Sequence, residues 1–139
     1  MKGGGAWYAR TGGRSRELYT IMHLPYTSMV LSYVLIGAAA SPSFYPTRVM
    51  LTILAYFLGL GLSAHALNEL HARHWGTALS KRELEILFIV PLIAAILIGV
   101  YGMTVLYATS GALVAPLALL VFIVLETFFL LAYSSDWYG

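Results

Sequence analysis

Val49-Met-Leu-Thr-Ile-Leu-Ala-Tyr-Phe-Leu-Gly-Leu-Gly-Leu-Ser-Ala-His-Ala-Leu67 is an apolar run, and Asn68-Glu-Leu-His-Ala-Arg-His74 follows it without a break. The run is about as long as one helical crossing of a bilayer, which takes roughly 20 residues and at least about 17. The string that ends it, counted from His65, holds three of the four histidines of the chain together with Asn68, Glu69 and Arg73. An ionisable side chain in hydrocarbon costs roughly 2–3 kcal/mol near the middle of the layer and less towards its surface. Such a cluster therefore has a purpose. Either it holds a polar ligand or ion at the membrane face, or its members pair and fasten helices to one another.

Working outward, the apolar character continues. The 139 residues are 60% hydrophobic and 10% charged, with a mean hydropathy of +0.80, whereas soluble domains carry about 25% charged residues. Besides Val49–Leu67, apolar runs occupy Leu24–Ala40, Ile86–Leu106 and Ala112–Tyr133. The expected fold is all-α: an integral membrane bundle of four transmembrane helices over residues 19–139, preceded by a flexible, glycine-rich basic tail over 1–18. Barrel strands would alternate polar and apolar at every second residue, and these runs do not. The net charge of +2 is too small to suggest nucleic acid as a partner, and the absence of cysteine removes disulfides and thiolate metal sites. No phosphate loop, Gly-x-Ser-x-Gly or His-Glu-x-x-His is present.

Basic residues set the orientation. Lys2, Arg10, Arg14 and Arg16 precede the first run, and Arg73, Lys81 and Arg82 lie between the second and third, but the first connection has only Arg48 and the third has none. Basic loops stay on the cytoplasmic side, so both termini and the histidine-rich loop are expected there. Local signals mark the connections. Pro42 and Pro46 bracket the first, Gly76 is expected to end the second helix, and Ser80-x-x-Glu83 is a capping box opening the third near Lys81. Pro91 and Pro116 are expected to kink the third and fourth helices. Gly59, Gly61, Gly99 and Gly102 permit close helix contact.

The candidate site residues follow from helical spacing. His65, Asn68 and Glu69 fall on one face, with Arg73 at its rim, and are expected to line one cytoplasm-facing cavity. His65 and Glu69, four apart, can share a divalent metal or a polar ligand, but a third ligand must come from another helix. The alternative is that they bond to neighbouring helices. Glu126, inside the fourth run, is a further candidate because a carboxyl there is costly, and His23, two residues before Pro25, can join the cluster. A haem or metal site between His65 and His23 is a weaker reading that needs the two facing each other across the bundle.

The stretch His23-Leu-Pro-Tyr-Thr-Ser-Met-Val-Leu-Ser-Tyr-Val-Leu-Ile-Gly-Ala-Ala39, the Ala-His-Ala-Leu-Asn-Glu-Leu end of the second run, and Trp75-Gly-Thr-Ala-Leu-Ser80 before Leu84 occur in an order that resembles the first half of the UbiA superfamily of intramembrane prenyltransferases. The resemblance covers Tyr19 to about Leu84. It implies an isoprenoid or prenyl-diphosphate-like ligand headed at His65, Asn68, Glu69 and Arg73, with Mg²⁺ as cofactor. The family's Asn-Asp-x-x-Asp type motif would place metal contacts at Asn68 and Glu69, but its next acid falls at Ala72. In the other register His65, Glu69 and Arg73 stand at the motif positions. Either way one carboxylate remains, and Mg²⁺ prefers several hard oxygen ligands. Family members carry a second acidic motif in a chain about twice as long. The expected function is thus a half-length, prenyltransferase-like membrane protein that binds isoprenoid and is catalytically incomplete without a second copy or a second membrane chain. The alternative is a non-enzymatic membrane subunit whose polar cluster mediates helix or partner contacts.

Overall fold

The computed structural model describes residues 13–73, 75–111 and 113–134, and among them every regular element is helical. The helices are α1 (Arg14–Ile21), α2 (Leu24–Ala40), α3 (Pro46–Tyr56), a π-helical segment (Phe57–Ser63), α4 (Ala64–Ala72), α5 (Lys81–Ser110) and α6 (Val114–Ser134). By length and apolarity, Pro46–Ala72 and Lys81–Thr109 can each cross a membrane, and α1 with α2 makes a third candidate if that bent pair is one span. The all-helical expectation stands, with two or three such helices.

The chain is helical from Arg14, so α1 begins within the stretch expected as a flexible tail. Glu17 and Thr20 of α1 are buried, and α1 packs on α4. The first apolar run is not one straight helix. His23 takes a left-handed conformation, φ 41, and α1 and α2 meet at 51°. Pro25 accounts for the break. In a continuous helix it would have no N–H to give to the Ile21 carbonyl, and its ring would crowd that carbonyl. The freed groups are partly reclaimed: the Thr27 hydroxyl donates to Met22 O at 2.6 Å, and Tyr26 and Thr27 N–H donate to His23 O.

The helix expected to end at Gly76 stops earlier, at Ala72, where Arg73 turns left-handed (φ 48) and its N–H returns to Glu69 O at 3.0 Å. Gly76, at φ 61, shapes the loop beyond. The capping box is present: Ser80 Oγ accepts from Glu83 N–H at 3.3 Å, and Glu83 Oε2 accepts from Ser80 N–H at 2.9 Å. Ser80→Ala should cost about 1 kcal/mol and speed hydrogen exchange at the Glu83 amide, which an unchanged exchange rate would disprove. α5 continues through Pro91 as one helix. Pro116 is the third residue of α6 and not an interior one; in a first turn the missing N–H has no intrahelical partner to lose.

α5 is the central element, packing on α3, the π segment, α4 and α6. The closest-packed core lies at its N-terminal end, where Ile21, Ala66, Leu79 and Leu84 are buried with Trp75, Leu87 and Phe88 against them. Elsewhere large apolar side chains such as Tyr33, Ile36, Val90 and Leu97 are exposed, as hydrocarbon permits and water does not. The close-contact glycines divide. A Cβ at Gly61 would stand 2.9 Å from Thr27 Cγ2, one at Gly59 would only touch Ala95, and Gly102 faces open space.

Candidate functional site

The π segment sets up His65. Its wider turn shifts the backbone bonding pattern, and such segments occur mostly as single turns inside α-helices. Leu60 O accepts a bond from His65 Nδ1 at 2.7 Å. A carbonyl only accepts, so Nδ1 carries the hydrogen, and in the neutral ring Nε2 is then the acceptor. Across 2.9 Å from it stands His23 Nδ1, which must be the donor. The left-handed break before α2 presents His23 to a residue 42 positions later. Tyr26 and Trp75 complete a group of four rings. Tyr26 is 6.0 Å from His23 and nearly parallel to it, and Trp75 is 5.7 Å from each histidine. His65 is 5% exposed.

Glu69, one turn on, faces elsewhere. Its carboxylate is 0% exposed and receives the loop: Oε2 accepts from Trp75 N–H at 2.8 Å, and Oε1 accepts from Thr77 N–H at 2.7 Å and Thr77 Oγ1 at 2.9 Å. Arg73 holds the same loop from outside, its guanidinium donating to Leu79 O at 2.8 Å. Asn68 is half-buried. His71 is exposed and bonds back to Leu67 O at 3.0 Å. Ser63, fully buried, donates to Phe88 O of α5 at 2.9 Å.

His65 and Glu69 are therefore bonded to different protein groups, although their spacing puts them on one helix face. His65 fastens α4 to the α1–α2 break, and Glu69 with Arg73 fastens the loop that leads into α5. His65 and Glu69 are each met by protein, and neither lines the two cavities described below. The reading of a metal between His23 and His65 meets a direct ring–ring hydrogen bond in that place. Mg²⁺ does not fit Glu69 either: both oxygens are sealed and already accept three bonds, and Asn68 is the one neighbouring oxygen donor of the expected set. His74 lies outside the described residues. Glu126 lies in α6, and its side chain is outside them too. Sequence reasoning missed Thr77, which supplies two of the three bonds to Glu69, and gave Trp75 and Tyr26 no contact with the histidines. The Trp-Gly-Thr that follows Glu69 was the available signal.

Two cavities border α3 and its continuation, the second reaching Tyr26 of the ring group. The first, 510 Å³, runs between α3, the π segment, α5 and α6. Small residues, among them Ala55, Gly59, Ala95 and Gly99, line it together with Leu51, Leu92 and Ile123. The second, 690 Å³, opens between α2 and α3 and is lined by Tyr26, Tyr33, Tyr45 and Tyr56. Arg48, Thr52, Tyr56 and Leu60, a stripe at four-residue spacing on α3 and its continuation, border both. No protein-family model matches this sequence, and no similar curated protein or solved structure was found.

Proposed function

We propose that this chain is a UbiA-like half bundle of four membrane helices that holds an isoprenoid chain in the groove between α3, α5 and α6, and that by itself transfers no prenyl group. The groove carries the reading. Its 510 Å³ is within the roughly 300–1,000 Å³ of ordinary ligand pockets. It extends from Thr47 to Leu60 along one wall, about 20 Å at 1.5 Å per residue, which suits a long, thin, apolar ligand. Small side chains on facing helices leave the space. The incompleteness follows from chemistry: ionising an allylic diphosphate needs a cation to take up the developing charge, and the one carboxylate of the resembling motif is committed to the loop. A second copy or a second membrane chain would have to supply the acids. The distribution of basic residues supports a cytoplasmic position for both termini.

A prenyl analogue bearing a photoactivatable diazirine tests this. Irradiated with the purified chain, it should label peptides of α3 and α5, and Ala55→Phe, which fills the groove, should reduce labelling about tenfold or more while the melting temperature changes little. Labelling spread evenly over the apolar faces, or unaffected by Ala55→Phe, would overturn the reading. That outcome would favour the second one, a non-enzymatic subunit, which rests on the polar cluster's being spent on helix and loop contacts.

A further inference from the structure

The bond between His23 and His65 requires one bare nitrogen. His65 Nδ1–H donates to Leu60 O at 2.7 Å, so its Nε2 must keep a lone pair to accept from His23 Nδ1–H across 2.9 Å. One proton can join the pair and leave this bond in place. It enters on His23 Nε2, and the donor becomes charged, which shortens and strengthens the bond. The Tyr26 and Trp75 rings, 6.0 Å and 5.7 Å from that imidazole, stand at the distance at which aromatic rings attract a cation. A second proton has only His65 Nε2 to enter. Two N–H groups on two charged rings then face each other, and the bond is lost.

The neighbouring charges leave this balance to the pair. The side chain whose charge acts on His65 is His23. On α4 the Glu69 carboxylate is taken by Trp75 and Thr77, and His71 bonds back to Leu67 O. Arg73, just past α4, is bonded to Leu79 O. On α1, Glu17 is buried, Arg16 is exposed, and Arg14 pairs with Glu83 of α5. From α2 the neighbouring titratable group is the Tyr26 phenol, and the π segment contributes the Leu60 carbonyl.

We propose that the His23–His65 pair is a proton-operated latch, which holds the α1–α2 break on α4 with no added proton or one, and lets go when a second enters at His65. The backbone turns left-handed at His23, so the latch sits where the chain changes direction. Ile21 keeps the end of α1 in the core, and loss of the pair therefore loosens the break locally and does not release the helix. The latch also forms one end of the 690 Å³ cavity. Tyr26 and Leu60 line that cavity, and both meet His65, the Tyr26 ring at 5.4 Å and Leu60 through its carbonyl. Acid on that side of the membrane opens this end of the cavity. The device depends on none of the ligand readings of the groove between α3, α5 and α6.

The test is hydrogen exchange of the purified chain in lipid nanodiscs, corrected for the intrinsic pH dependence of amide exchange. The amides of His23, Tyr26 and Thr27 donate at the break and report on it, with the interior of α5 as reference. Between about pH 8 and about pH 4, which covers the range in which imidazoles titrate, protection at the break should fall about tenfold, the scale of one lost bond to a charged group. α5 should keep its protection. His65→Gln has an amide oxygen to accept from His23 and an NH₂ for Leu60 O, and its break should stay protected throughout. His23→Gln keeps a donor for His65 and should still lose protection in acid. Protection that does not change in the wild type overturns the latch. So does an acid loss in His65→Gln equal to that of the wild type, or a loss shared by α5, which is general unfolding. If the break in His65→Gln is unprotected already at pH 8, His23→Phe decides. It has no donor, so its break should exchange about tenfold faster than that of the wild type at pH 8, and equal protection there overturns the proposal.

Discussion

Glu69→Ala should destabilise the protein by about 3–5 kcal/mol, with a fall in melting temperature on the order of 10 °C. The wild-type carboxylate accepts from Trp75 N–H, Thr77 N–H and the Thr77 hydroxyl, and a buried donor left without an acceptor costs about 1–3 kcal/mol. Alanine strands all three and opens a cavity next to Trp75. Glu69→Gln should cost less, since its amide keeps one acceptor oxygen but turns an NH₂ towards a backbone donor. Thr77→Val, which removes only the hydroxyl bond, should cost least, about 1 kcal/mol. Trypsin sensitivity at Arg73 should follow the same order, because the loop is released from α4. A Glu69→Ala chain that melts with the wild type would mean the carboxylate is not spent on the loop, and would return it to the list of ligand-binding groups.

Gly61→Ala should destabilise by about 1–3 kcal/mol, and Thr27→Ala should relieve most of that cost. The added methyl would lie 2.9 Å from Thr27 Cγ2 and 3.2 Å from its Oγ1. Thr27 has little freedom to yield, since it is buried and its hydroxyl is bonded across the α1–α2 break to Met22 O. Gly59→Ala, two residues earlier, is the contrast: its methyl would meet Ala95 Cβ at 3.6 Å, an ordinary contact, and alanine gains up to about 1 kcal/mol of helix propensity over glycine. The two substitutions should therefore differ in sign. Additive effects of Gly61→Ala and Thr27→Ala in a thermal-melt cycle would show that the two sites do not touch.

The parts of the site that were legible in the sequence are the parts with short range. The Ser80-x-x-Glu83 cap needs three residues of spacing and is formed as written. Helical spacing put His65 and Glu69 on one side of α4, which is correct as far as it goes. What it could not supply is what approaches that side. His65 meets His23 from 42 positions away, through a left-handed residue at the break between α1 and α2. Glu69 meets Trp75 and Thr77, only six and eight positions on, but the encounter depends on Arg73 reversing the chain at a residue other than glycine. Gly76 was the more obvious place for the helix to stop, and the stop came before it because Glu69 draws the loop back. Polar residues read as ligand groups were thus taken up by protein donors and acceptors.

The sequence by itself determined the class of the molecule: apolar runs this long and this poor in charge can bury their backbone groups only as helices, and some of those helices are long enough to cross a bilayer. It also determined where the first connection and α5 begin, since prolines and a capping box act within a turn of themselves. Tertiary structure alone decided the bend between α1 and α2, the π segment before His65, and the use of Glu69 as a loop fastener. It alone left the groove beneath Arg48, because a space between helices depends on which small residues face one another across them. Those outcomes rest on contacts between distant segments, whose geometry is fixed by packing and by the need to satisfy each buried polar group. A one-dimensional pattern carries the inventory of such groups but not their pairing.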